Sequence, residues 1–212
     1  MPEAVLKVRK STQLKDEIAA YKRRRILEEA SHLFYTHGYE TTTLDAVAEQ
    51  LNVTKPFIYS YYKNKGELLY EICQTGIQLS LNVLEEALSI EGTATERLKM
   101  VAERVARIII ENKRYISVYL REEKSLDVDD ARRIRDLRHQ FDLQLSDLLE
   151  KGKRTGEFDI RHPSQTAIWV SGLLTWIALW YHDGGRWSAT EVVMDAINMV
   201  MKMVLPGTAQ RG

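Results

Sequence analysis

Helical periodicity runs through nearly all of this 212-residue chain, and only four prolines and eleven glycines interrupt it. Between those breaks apolar residues recur at intervals of three and four, and no segment alternates as a half-buried strand would. The expected fold class is therefore all-α, with about nine helices in total. They are read at roughly 16–37, 44–51, 55–62, 64–88, 94–112, 115–123, 128–155, 163–182 and 188–205. Residues 1–14 show no periodicity and are expected to form a flexible arm. Two changes of composition suggest a compact three-helix unit over 15–63 and a larger helical body over 64–212.

Composition narrows the class further. Apolar residues make up 44% and charged residues 28% of the chain, the balance of a soluble globular protein. The one cysteine, Cys73, rules out an internal disulfide and a thiol metal cage, so a reducing cytoplasm is the expected compartment. The most apolar stretch, 167–181, is too short for a bilayer and is broken by Ser171, Gly172 and Thr175, so it reads as a buried helix rather than a membrane span. Net charge is zero, but it is unevenly spread. Residues 1–66 carry 11 Lys and Arg against 8 Asp and Glu, and the remainder 19 against 22. The excess gathers at Lys22-Arg23-Arg24-Arg25 and at Lys55, Lys63 and Lys65, as a local phosphate-contact surface would require.

The local grammar of 15–63 is that of a helix-turn-helix. Ile26, Leu27, Ala30, Leu33 and Phe34 form one stripe, and Gly38 is placed to close the first helix. Thr42 or Thr43 caps a second helix, and Asp45, three residues after Thr42, completes a capping-box pattern. Leu44, Val47, Ala48 and Leu51 face inward. Asn52-Val53-Thr54 supplies a three-residue turn, with Asn52 able to adopt the left-handed conformation and Thr54 able to cap. Pro56 is tolerated in the first turn of the third helix. On that helix Ile58 and Tyr62 point inward, while Pro56, Phe57, Tyr59, Ser60 and Lys63 point outward and Lys55 and Tyr61 flank them. So many rings suit a DNA groove, where they can meet thymine methyls while Lys55 reaches guanine acceptors. A ligand-free three-helix bundle would have the same periodicity.

The run Thr41-Thr42-Thr43-Leu44-Asp45-Ala46-Val47-Ala48-Glu49-Gln50-Leu51-Asn52-Val53-Thr54-Lys55-Pro56-Phe57-Ile58-Tyr59-Ser60-Tyr61-Tyr62-Lys63-Asn64-Lys65-Gly66-Glu67-Leu68-Leu69 resembles the signature of the TetR family of transcriptional regulators. Arg25-Ile26-Leu27, Ala30, Leu33-Phe34 and Gly38-Tyr39 supply its first helix, and the match runs without a gap over about 22–72. The resemblance implies that Thr43, Tyr59, Tyr61 and Lys65 contact phosphates and that Lys55, Pro56 and Phe57 approach bases, with Thr54 at the head of the reading helix. Two departures stand out: Leu51-Asn52 replaces the family's common Ala-Gly pair, and Tyr61 stands where histidine is common.

For the remaining two thirds the resemblance implies a domain that dimerises and senses a small molecule, relieving repression of a double-stranded DNA operator. The segment 163–182 is apolar nearly all round, with Trp169, Trp176 and Trp180, and 188–205 has a broad stripe of Val192, Val193, Ala196, Ile197, Val200, Met203 and Val204. Together they resemble the helices that pair two subunits in this family, and the expected assembly is a homodimer. Candidate pocket residues are Tyr115, Tyr119, Phe141, Leu145, Trp169, Trp176 and Trp180, with Arg121 and Arg138 as anion partners. Tyr119-Leu120-Arg121-Glu122-Glu123, then Arg132-Arg133-Ile134-Arg135, and the run Trp180-Tyr181-His182-Asp183-Gly184-Gly185-Arg186-Trp187-Ser188 resemble the branch governing fatty-acid, sterol and aromatic-acid breakdown, whose effectors are often acyl-coenzyme A thioesters. Leu179 stands where that branch frequently has a basic residue. The other effector class left open is hydrophobic drugs. The reading outside this class is a helical ligand-binding protein without DNA activity.

Enzyme chemistry finds no foothold. The five histidines form no i, i+4 pair, no P-loop or dinucleotide glycine pattern occurs, and Cys73 has no neighbouring histidine. Glu122, Glu123, Asp127, Asp129 and Asp130 are the ordinary acidic approach to a helix N-terminus. No cofactor is called for.

Overall fold

The computed structural model describes residues 2–206, with side chains from residue 14 onward. Among the described residues the chain is helical, with no strand. It divides into two compact units, Met1–Ile72 and Cys73–Gly212. None of the described helices is long and apolar enough to cross a membrane.

In the first unit, α1 (Pro2–His37) is followed by α2 (Leu44–Gln50) and α3 (Lys55–Tyr59). The helix thus starts at Pro2 rather than near residue 16, so residues 2–14, expected to form an arm, are its first turns. The sequence between Pro2 and Gly38 holds no helix breaker and is rich in Lys, Arg, Glu, Leu and Ala, so propensity carries a helix where no apolar stripe exists. Gly38, at φ +89°, ends α1. Thr43, not Thr42, caps α2, accepting from the Ala46 amide at 3.1 Å. Thr42 is buried instead and donates to the Gly38 carbonyl at 2.8 Å, so the Thr42–Asp45 capping box does not form. Asn52 takes the left-handed conformation, φ 53°, that the turn requires. Ile26, Ala30, Phe34, Val47, Ile58 and Tyr62 make the core.

α4 (Lys65–Ser89) begins in the first unit and continues into the second. The second unit adds α5 (Ala94–Glu111), α6 (Lys113–Glu122), a short 3-10 turn (Glu123–Ser125), α7 (Val128–Arg154), α8 (Pro163–Trp180) and α9 (Ala189–Val204). α5 packs against α6, α7, α8 and α9, which explains why Leu98, Val101, Ala102, Val105, Ala106 and Ile109 are all buried. Helix starts are set by side chains: Thr93 with Glu96 and Ser188 with Glu191 form capping boxes, and Asp127 caps α7. α8 is covered on one face only within the chain. Ala167, Val170, Leu174, Ile177 and Ala178 are buried, while Ile168, Trp169 and Trp176 are 61%, 65% and 62% exposed.

Candidate nucleic-acid interface and ligand cavity

The outward face of α3 is built as its periodicity requires. Ile58 and Tyr62 are buried, and Lys55, Pro56, Tyr59 and Ser60 are exposed. α3 itself closes at Tyr59, but the Tyr61 and Tyr62 amides still donate to the Ile58 carbonyl at 2.9 and 3.0 Å, so the helical path continues to Tyr62. Phe57 is half-buried because its ring lies 5.3 Å from that of Tyr61, with the Lys22 ammonium 5.7 Å above it. Thr54 stands at the N-cap without a side-chain cap bond, leaving its hydroxyl for other work. Thr43 is exposed, although its oxygen is already an acceptor within α2.

The cations are less available than their number suggests. Arg23 donates from Nε to both Glu71 carboxylate oxygens at 2.9 Å, and its guanidinium stacks 4.8 Å from the Tyr62 ring. Arg24 and Arg25 both meet Glu28, at 3.7 and 2.8 Å. Lys55 is ion-paired with Asp45 across the turn, and that hydrogen bond holds its ammonium above the usual lysine range. Lys65, assigned to a phosphate, donates to the Tyr39 and Glu40 carbonyls at 2.7 and 3.2 Å and lies 4.1 Å from the Tyr39 ring centre. It ties the chain beyond α1 to the start of α4. The part played by Asp45 was not visible in the sequence, because its partner lies ten residues away across a turn and follows no helical spacing.

The second unit holds a cavity of about 500 Å³, open on one side and walled by α4 to α8. Ile77, Val105, Ile109, Ile116 and Leu174 make much of its wall apolar. Its polar groups include Ser80, Thr175 and two linked pairs: Arg138 donates to the Tyr119 hydroxyl at 2.7 Å, and Ser171 donates to Asp142 at 2.7 Å. Burial pushes the Tyr119 phenol up to about 12, so it stays protonated. Glu123 approaches Arg138 at 3.9 Å.

Of the side chains expected around the ligand, Tyr119, Phe141, Trp176 and Arg138 line the cavity. Tyr115, Arg121, Trp169 and Trp180 are not part of its wall, and Leu145 is a buried core residue. Spacings of seven and four set the three tryptophans toward the open side of α8, from which only Trp176 also reaches the cavity wall. Trp169 is exposed there, and Trp180 packs edge-on against Trp187 at 6.1 Å. The contribution of α8 to the cavity is mixed, with Ser171, Gly172 and Thr175 set among Ile168, Leu174, Trp176 and Leu179. Serine and threonine in an apolar helix were the available signal for that side. In the Arg132-Arg133-Ile134-Arg135 run, Arg132 and Arg133 are paired with Asp129 and Asp130 at 3.5 and 3.3 Å. Cys73 is buried, and burial pushes its thiol up to about 12, which leaves it no nucleophilic character.

Two sequence profiles match the chain. That of the bacterial regulatory proteins of the tetR family matches residues 26–72, and that of the Tetracyclin repressor-like C-terminal domain matches residues 91–204. YhgD of Bacillus subtilis, an uncharacterized HTH-type transcriptional regulator, is 40% identical over 67 residues, which span 32% of this chain and 35% of that protein. The HTH-type transcriptional repressor KstR of Mycobacterium tuberculosis is 25% identical over 197 residues, 90% of this chain and 85% of that one. Among solved structures, the TetR-family regulator PfmR of Thermus thermophilus superposes with a TM-score of 0.78 at 29% identity, covering 84% of this chain and 97% of its own. AibR, solved with isovaleryl coenzyme A and operator DNA, gives a TM-score of 0.75 at 23% identity, covering 84% and 97%.

Proposed function

This chain belongs to the TetR family of DNA-binding transcriptional regulators, which are not enzymes, and from that premise we propose that it is a homodimeric repressor released from a palindromic operator by a small apolar effector. The observation that carries the reading is the outward face of α3. Lys55, Phe57, Tyr59 and Tyr61 stand together there, organised by Tyr–Phe and Lys–Asp contacts rather than left as loose surface side chains. Rings and hydroxyls of that kind fit the floor and walls of a major groove. Thr43, Tyr59, Tyr61 and Lys65 take the phosphate side, and Thr54, Lys55, Pro56 and Phe57 the base side. Two copies are needed because a palindrome presents the same half-site twice, about 34–36 Å apart along one face of the duplex. The exposed stripe of α8 (Ile168, Trp169, Trp176) supplies the surface on which a second copy would pair.

The effector binds in the cavity of the second unit. Its size and apolar wall suit a medium-sized hydrophobic tail or ring system. An acyl-coenzyme A thioester is the favoured class, its acyl portion inside and its carrier outside, because AibR has the same fold and is seen with such a ligand. Repression as the mode follows KstR and the family resemblance.

The test has two arms. Footprinting on DNA flanking the gene should reveal a palindromic protected site. Titrating that complex with long-chain and aromatic acyl-coenzyme A thioesters, the free acids, coenzyme A alone and hydrophobic drugs should release the protein with a thioester. Release by acids or drugs alone would move the effector out of the thioester class while leaving the regulator intact. Absence of any protected site would remove the repressor reading.

A further inference from the structure

The Lys55–Asp45 contact places a carboxylate on a surface proposed to face polyanionic DNA. Asp45 lies in the first turn of α2 and Lys55 opens α3, so the pair bridges the two helices of the motif. Both side chains remain accessible, 43% and 65% exposed. Asp45 Oδ2 accepts from the ammonium, whereas Oδ1 is shielded from solvent and makes no hydrogen bond, so Oδ2 is the carboxylate oxygen presented at the surface. The same economy recurs nearby, where Glu71 takes Arg23 and Glu28 takes Arg24 and Arg25. A carboxylate here opposes attraction to phosphates, so a surface shaped for affinity alone would not carry one.

We propose that Asp45 is a specificity-determining residue of the DNA-reading surface: it aims the Lys55 ammonium at a guanine edge and withholds it from the phosphates of unrelated sequence. The inference rests on the operator-binding reading and on Lys55 approaching bases. A free lysine is a flexible point charge that reaches whichever phosphate is nearest, on any sequence. Tied to Asp45, Lys55 has one ammonium proton committed and two left to fork between O6 and N7 of guanine, the acceptor pair that only that base shows in the major groove. The carboxylate is itself an acceptor suited to a cytosine amino group, so the pair matches a G·C step and repels elsewhere. Asp45 therefore lowers affinity for random DNA more than for the operator, which is how negative discrimination is built.

The experiment uses the full-length protein, a random-sequence duplex, and the duplex that the wild type selects best from a randomised pool, with each base pair of the latter replaced in turn. D45N should tighten binding to the random duplex about three- to tenfold and steepen its salt dependence by about one unit, as the freed lysine neutralises one more phosphate. It should also flatten discrimination at one G·C pair in each half-site. K55A should flatten discrimination at that same pair without tightening random binding, and K55A/D45N should discriminate no worse there than K55A alone. Thermal unfolding establishes that each variant is folded. If D45N shifts random and selected duplexes by the same factor, or shifts neither, the assignment is overturned. If K55A keeps the full base profile while D45N loses it, the pairing is overturned too. A wild type that selects no sequence at all, by contrast, refutes the operator reading on which the inference stands.

Discussion

Lys65 carries two loads that can be separated by measurement. Its ammonium satisfies the Tyr39 and Glu40 carbonyls just beyond α1 and lies against the Tyr39 ring. Lys65→Met keeps much of the stem but removes the ammonium donor, leaving the Tyr39 carbonyl with only the Thr42 amide at 3.3 Å, so urea unfolding should show a loss of about 1 kcal/mol. DNA affinity should fall as well, and a wild-type unfolding curve for Lys65→Met would remove the clamp. Gly152 is a sharper case. A Cβ there would stand 2.1 Å from the Phe158 ring, which lies against the bare backbone of α7 in the core of the second unit. Gly152→Ala should therefore destabilise by about 2–3 kcal/mol in the same measurement, since a buried ring has nowhere to retreat. Neither role could be read from the sequence. Lys65 sits in a motif whose resemblance supplies a DNA contact, and a glycine inside a helix announces no partner six residues later.

Helix ends show why legibility differed along the chain. Gly38, Asn52, Pro56 and Pro163 act through their own backbone preferences, so the ends they mark were readable locally. The inward face of α3 followed from period alone, because Ile58 and Tyr62 are four apart. The start of α1 was missed because propensity without amphipathicity gives no periodic signal, and two of the tryptophans were misplaced because a helix apolar on every side does not reveal which side is open. The N-terminus of α5 mixes both kinds of information. Thr93 and Glu96 form a local box, but Glu157 arrives from beyond α7 and accepts from the Ala94 and Thr95 amides at 3.2 and 2.8 Å and from Thr155 at 2.9 Å. Those bonds, the Thr95 amide foremost, hold its carboxyl down at about 2, against an ordinary value of 4.5. A folded value below the unfolded one gives stability that is complete above about pH 4.5 and is lost as pH falls toward 2. Glu157→Gln should therefore be less stable than wild type at neutral pH, and the gap should close through that acid window. Thermal melts of both proteins from pH 7 to pH 2 measure it; a gap that stays constant with pH would mean that Glu157 acts by packing rather than by charge.

On the proposed reading, pairing of two chains turns a single reading helix into an operator-binding protein, and the exposed side of α8 is where that pairing can be tested. Ile168, Trp169, Gly172 and Trp176 lie along it, and an added Cβ at Gly172 would meet nothing within 4 Å. A larger residue at 172 therefore starts in open space, and because Gly172 also borders the cavity, its effect on pairing is read from association and DNA binding without effector. Gly172→Glu would set one carboxylate from each subunit into an apolar interface around the twofold axis. Burying such charges costs several kcal/mol, and about 3 kcal/mol already weakens association by roughly 100-fold. The wild type should sediment at micromolar concentration as twice the 24.5 kDa chain, and Gly172→Glu as a single chain. Operator binding should then fall by at least the same factor, because each subunit must find its half-site alone, while binding of the variant to a single half-site should match that of a wild-type subunit. If Gly172→Glu sediments as a dimer with unchanged operator affinity, the subunits pair elsewhere and the stripe serves another partner. A variant that is monomeric yet binds the palindrome undiminished would mean that the two half-sites are read independently, and the need for a dimer would be withdrawn.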